Sequence, residues 1–251
     1  MNRPLVGKVA LVTGGSRGLG REMVLAFAGA GADVVIVSRK ASNCESLAAE
    51  VQERHGVRAL SLPAHVGQWS AHDGLVSEVY DKFGRLDILV NNAGIAPLYP
   101  SLDAVSEELF DKVIGVNLKG PFRLTALAGK RMAEADGGSI INISSYAADR
   151  PTPSDLVYAA AKAGLQTLTR GFAMALGPTI RVNAIIAGPF FTDISAQWDV
   201  DSFNDKAKQW PLRRGGRPDE IVGAALYFAG PDSSFATGSM LAVDGGRCAV
   251  S

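Results

Sequence analysis

The chain is poor in cysteine and histidine and has no excess of either charge. Its two cysteines, Cys44 and Cys248, stand far apart in the sequence. They lack metal-ligand spacing, and two free thiols in a reducing compartment are expected. The three histidines, His55, His65 and His72, show no zinc spacing, so no metal is expected. Formal net charge is zero, with 25 basic and 25 acidic residues. No basic stripe is interleaved with aromatics, which argues against a nucleic-acid partner. No stretch approaches the ~18 uninterrupted apolar residues that cross a bilayer, so no membrane is expected. Residues 1–8 lead straight into a strand-like run with no apolar signal region, and the protein is read as cytoplasmic. No repeat, low-complexity tract or linker divides the 251 residues, and one domain over 1–251 is expected.

Glycine, in contrast, is abundant at 28 residues, against an average usage of about 7%. Short apolar runs fall at about 8–13, 33–37, 58–62, 86–90, 139–143, 181–186 and 240–243. They alternate with helical patterns at about 19–30, 42–54, 70–83, 107–135, 156–176 and 219–229. Strands without polar alternation are buried on both faces. The pattern predicts a doubly wound, Rossmann-type α/β fold with a seven-stranded parallel sheet and helices on both faces. The irregular stretch at about 188–218 is long enough to act as a lid over a site.

Between the first strand run and the first helix stands Thr13-Gly14-Gly15-Ser16-Arg17-Gly18-Leu19-Gly20. Gly14 permits a sharp turn, Gly18 lets backbone approach a pyrophosphate, and Gly20 allows close helix–strand packing. The helix N-terminus offers free N–H groups to phosphates. Dinucleotide contacts are therefore expected at Gly14, Ser16, Arg17, Gly18, Leu19 and Gly20. The second strand run ends in Ser38-Arg39-Lys40, where an NAD-binding chain usually presents an acid to the ribose. Arg39, together with Arg17, suits a 2′-phosphate instead. Ser38 and Arg39 join the expected contacts, and NADP(H) is favoured over NAD(H).

A second constellation handles protons. Tyr158 is followed four positions later by Lys162, and Ser145 lies thirteen positions before the tyrosine. A tyrosine titrates near pH 10 when unperturbed. Lys162, one helical turn on, faces the same side, and its charge is expected to lower the Tyr158 pKa. With a serine hydroxyl nearby, these groups can move a proton to or from a carbonyl or alcohol oxygen.

These residues resemble the short-chain dehydrogenase/reductase (SDR) family, and the likeness runs from Lys8 to about Gly246. The glycine turn fits that family's T-G-x-x-x-G-x-G. Asn91-Asn92-Ala93-Gly94 is similar to its N-N-A-G element, which implies cofactor contacts from Asn92, Ala93 and Gly94. Asn117, Ser145, Tyr158 and Lys162 match its four catalytic positions. Arg181-Val182-Asn183-Ala184-Ile185 and Val243-Asp244-Gly245-Gly246 are also similar to family elements. The resemblance implies hydride transfer between a nicotinamide and a carbonyl carbon, with Tyr158 as proton donor. It also implies that Lys162 holds the nicotinamide ribose, that Ser145 orients the carbonyl, and that Asn117 holds a relay water. Two positions depart from the pattern. His65-Val66 stands where the family often has an aspartate and a small apolar residue, leaving His65 and Val66 as the adenine contacts. Ala187-Gly188 replaces Pro-Gly, with Pro189 one step on; Gly188, Phe190 and Thr192 remain expected on the cofactor.

The implied substrate is a small carbonyl or alcohol. It would be enclosed by residues 95–101, 146–157 and a lid carrying Phe190, Phe191, Ile194, Trp198, Phe203 and Trp210. The leading reading is an NADP(H)-dependent carbonyl reductase or secondary alcohol dehydrogenase. A 3-oxoacyl-thioester (acyl-carrier-protein) reductase is one alternative. A non-catalytic dinucleotide sensor or scaffold is another, although such proteins typically lose the tyrosine or lysine that this chain keeps. The family also implies a homotetramer, or a homodimer, packed through about 113–128 and 165–176.

Overall fold

The structure is a computed structural model that describes residues 3–192 and 200–249. Its strands are β1 (Val9–Thr13), β2 (Asp33–Ser38), β3 (Ala59–Pro63), β4 (Ile88–Asn91), β5 (Gly138–Ser145), β6 (Ile180–Ala187) and β7 (Met240–Val243). They form one seven-stranded sheet in the order β3-β2-β1-β4-β5-β6-β7. Every pairing is parallel, as the uniformly apolar runs predict. The helices are α1 (Gly18–Gly29), α2 (Ala41–His55), α3 (Ala71–Phe83), α4 (Glu107–Ile114), α5 (Gly120–Ala133), α6 (Leu156–Leu176), α7 (Val200–Ala207) and α8 (Val222–Ala229).

Successive strand side chains point to opposite faces, and this builds two cores. Val9 and Leu11 of β1 pack with Leu75 and Val79 of α3 and Leu124 and Met132 of α5. Ala10 and Val12 pack on the other face with Met23 and Phe27 of α1 and Ala225 and Phe228 of α8. Fully burying a side chain such as Phe27 contributes about 1.5–3 kcal/mol.

The helical region expected at 107–135 is not one helix. α4 and α5 are joined by a π-helical turn, Gly115–Lys119. Such turns are rare in helices and are common at functional sites. Close approach accompanies this one: Gly120 lies against the Val66 carbonyl, where a Cβ would collide. The helix expected at 219–229 opens as a 3-10 turn, Pro218–Ile221, with proline in its first turn. The stretch read as irregular contains α7, a short polar helix whose eight residues give too little periodicity to reveal it.

The strand order reverses between β1 and β4. Connections there leave on opposite faces, and a crevice opens beyond the carboxyl ends of the strands.

Candidate active site

Thr13, at the end of β1, builds the crevice floor. Its Oγ1 donates to the Val90 carbonyl at 3.1 Å and accepts from the backbone N–H of Asn92 (3.0 Å) and Ala93 (3.1 Å). The Asn92 amide donates to the carbonyls of Thr13 (2.8 Å) and Gly14 (3.2 Å). The end of β4 is thereby tied to the glycine turn. Gly14 and Gly18 take φ values of +62° and +52°, a region that favours glycine. A Cβ on Gly14 would stand 2.9 Å from the Ala93 Cα, and Gly20 lies directly on the Gly14 carbonyl. Arg17, at the N-cap of α1, supplies no side-chain cap, so the first N–H groups of the helix face the turn without one. The buried Ser16 hydroxyl has no partner among the described residues. An orphan hydroxyl in a glycine cradle at a helix N-terminus fits a phosphate group.

A cleft of about 1160 Å³ runs from this turn to Tyr158. It is walled by Gly14, Arg17, Gly18, Leu19, Ser38, Arg39, His65, Val66, Asn92, Ala93, Gly94, Gly188, Phe190 and Thr192. Ser16 and Gly20, also expected as cofactor contacts, lie within the glycine turn itself. His65 is fixed at the cleft because its Nδ1 accepts from the Gly67 N–H at 3.1 Å. Arg39 is exposed. The acidic side chain lining the cleft is Asp155, in the segment leading to α6.

Ser145 ends β5, and Tyr158 and Lys162 lie on α6; all three line the cleft. The Ser145 hydroxyl stands near enough to the Tyr158 phenol to favour its charged form, and its Oγ accepts from the Ala147 N–H at 3.2 Å. Ser144 instead donates to the Lys162 carbonyl at 3.3 Å. Lys162 is only 3% exposed. Its Nζ donates to the Ile143 carbonyl at 2.7 Å and lies 5.7 Å from the Tyr158 ring centroid.

Burial pushes Lys162 down to about 8. Burial also pushes Tyr158 up to about 12, with the Ser145 hydroxyl pulling against it and Tyr146 and Asp155 adding to the rise. The expectation that Lys162 lowers the Tyr158 pKa is thus corrected. Withdrawal of the phenol from water dominates, while the ammonium is directed at a backbone carbonyl.

Asn117 sits fully buried in the π-helical turn. Its Nδ2 donates to the carbonyls of Ile95 and Val113, each at 2.9 Å, and its Oδ1 accepts from the Ile95 N–H at 3.2 Å. Its side chain pins the backbone beside Gly94 and does not line the cleft.

The chain is similar to known proteins over nearly its whole length. The family model described as enoyl-(acyl carrier protein) reductase matches residues 14–247. Sorbose reductase of Schizosaccharomyces pombe is 36% identical over 249 residues, covering 97% of each chain. The 3-oxoacyl-[acyl-carrier-protein] reductase of Thermotoga maritima is 36% identical over 245 residues, 96% of this chain and 98% of that one. The chain belongs to the short-chain dehydrogenase/reductase family. Among solved SDR-like structures, the NADPH-dependent 3-quinuclidinone reductase of Rhodotorula rubra superposes with a TM-score of 0.93 at 30% identity, covering 99% of this chain and 94% of that one.

Aromatic side chains also line this SDR cleft. Phe190, Phe203 and Trp210 line it. Phe203 meets Phe191 and Trp210 edge-on, with centroids 5.0 and 5.4 Å apart. Ile194 and Trp198, also expected here, lie outside the described residues. Lys206, Gln209 and Arg247 line the cleft too, and sequence reasoning missed them. Gly245-Gly246 signals a turn before Arg247, but no local pattern tells what that turn faces. Both cysteines are free, with Cys44 buried. No helix among the described residues is long and apolar enough to cross a membrane.

Proposed function

We propose that this SDR is an NADP(H)-dependent reductase of ketones, working in reverse as a secondary alcohol dehydrogenase. The observation that carries this reading is the Ser145–Tyr158 pair, with buried Lys162 beside it, in the same cleft as the glycine turn. Ser16 and the N–H groups of the turn would hold the pyrophosphate. Arg17 and Arg39 would hold a 2′-phosphate, and Asn92, Ala93, Gly94 and Lys162 the nicotinamide riboside. The name of the Rhodotorula rubra relative, an NADPH-dependent reductase, agrees with that preference. When bound, the nicotinamide supplies a hydride to the carbonyl carbon or takes one from the alcohol.

Tyr158, a neutral phenol at pH 7 whose pKa burial raises further, gives its proton to the carbonyl oxygen. Ser145 donates a hydrogen bond to the same oxygen and stabilises the charge developing there. Lys162 offers a positive charge to the phenolate that Tyr158 becomes. Asn117 holds Ile95 and, through it, the Gly94 wall. We read α7 as part of a lid, because Ser202, Phe203 and Lys206 of that helix reach the cleft.

A second reading, reduction of 3-oxoacyl thioesters, is favoured by the Thermotoga maritima relative. NADPH oxidation over a panel of ketones, sugars and an acyl-thioester analogue separates the two. Tyr158→Phe should lower kcat/KM by about 10²–10⁴ and leave NADPH affinity within about threefold, a shift under 1 kcal/mol. Near-wild-type turnover by that variant, or no oxidation with any carbonyl, would defeat the enzymatic reading and favour a sensor or scaffold.

A further inference from the structure

We propose that Arg247 anchors a carboxylate on the substrate, so that the preferred carbonyl compounds are oxo acids. This rests on the reductase reading and names its substrate class.

The first support is how the chain brings Arg247 to the cleft. After β7 the backbone turns at Gly245 and Gly246, with φ of +64° and +83°. The Asp244 carboxylate accepts from the N–H of Gly246 at 2.9 Å and from the N–H of Cys248 at 2.6 Å. The residues on both sides of Arg247 are therefore tied to one carboxylate. Arg150 donates to the Cys248 carbonyl at 3.3 Å, which fastens the segment to the wall that carries Ser145. Gly188 packs against Asp244 so closely that a Cβ would collide. The turn and the cleft wall are thus one rigid piece.

The second support is the state of the side chain. Arg247 is half-buried, and its Cζ lies 5.6 Å from the centroid of Tyr146, the residue after Ser145. That contact engages no guanidinium N–H in a hydrogen bond and leaves them for a planar, bidentate acceptor. Asp244, the nearest acid in sequence, is occupied by backbone N–H groups. Among the described residues no carboxylate pairs with the Arg247 guanidinium.

The third support is charge. The cleft lining holds Lys112, Lys206 and Arg247, besides Arg17, Arg39 and Lys162, against the single acid Asp155. Asp155 Oδ1 already accepts from the Thr152 N–H and hydroxyl at 2.7 and 2.8 Å. A cleft lined by one sign of charge concentrates ligands of the other sign. The apolar surround of Phe203 and Trp210 lowers the local dielectric and strengthens such a pair.

The test compares 2-, 3-, 4- and 5-oxo acids with their own ethyl esters, using the full chain and NADPH. At least one acid should exceed its ester in kcat/KM by about tenfold or more, the scale of one charge-assisted pair. The acid-to-ester ratio should fall towards one in Arg247→Gln, recover in part in Arg247→Lys, and shrink with added salt in the wild type. A wild type that favours no acid over its ester overturns the proposal. So does a ratio that Arg247→Gln leaves unchanged. Should Arg247→Gln not fold, the salt dependence and the lysine variant carry the decision. If no carbonyl is turned over, the reductase reading falls by itself. Calorimetry on the NADPH-loaded protein then decides: Arg247-dependent binding of an acid but not its ester upholds the anion subsite, and equal or absent binding ends it.

Discussion

Lys162 is where burial and chemistry oppose each other. A lysine 3% exposed, with a backbone carbonyl as its hydrogen-bond partner, is expensive to keep charged. Its pKa near 8 in the fold lies below the ordinary value of about 10.4. The fold therefore carries the cost of this cation below pH 8. The cost shrinks as pH rises from about 8 and is gone above the unfolded value. Lys162→Met is expected to stabilise the protein at pH 7 by about 2 kcal/mol, read as a higher Tm, with the gain vanishing near pH 10.5 and activity lost. The reductive kcat/KM should fall as pH rises through about 8, because Lys162 then loses its charge while Tyr158 is still protonated. A flat profile across that range would argue against the assigned role of Lys162. The positions of Ser145, Tyr158 and Lys162 were legible because strand and helix periodicity sets them. Their proton affinities were not, since these depend on water excluded by segments distant in the chain.

Elements set the cofactor end. β1, β4 and the glycine turn converge through Thr13 and Asn92, and the end of β2 supplies Ser38 and Arg39. In the proposed assignment Arg39 discriminates between the two nicotinamide cofactors. Arg39→Asp should shift the ratio of kcat/KM for NADPH over NADH by about 10- to 100-fold towards NADH, the worth of one or two charge-assisted hydrogen bonds. Steady-state kinetics with both cofactors reads this directly. The seven strands were legible within two residues at each end, because strands covered on both faces are continuous apolar runs. The π-helical turn was not, since it accompanies contact between Gly120 and the Val66 carbonyl, 54 positions apart. α7 was hidden for a different reason: at eight residues it has no periodicity to read.

At the scale of the whole molecule, two faces of one sheet are closed by separate cores, and apolar surface is left over on helices, loops and β7. Phe110 and Phe122 are 47% and 41% exposed, and Trp69 stacks on Phe122 with centroids 6.3 Å apart. We propose that this face is buried between subunits of a homotetramer or homodimer. Phe122→Glu should then lower the mass seen by light scattering, whereas a wild type that is monomeric would remove the proposal. By itself the sequence determined the sheet, the glycine turn and the one-turn spacing of Tyr158 and Lys162. These follow from side-chain periodicity and from what glycine, tyrosine and lysine can do. Only the tertiary structure decided that Lys162 turns to the Ile143 carbonyl, that burial raises the Tyr158 pKa, and that Arg247 comes back to the cleft. Each of those is set by contacts between segments far apart in the chain, where packing fixes both the neighbours and the access of water.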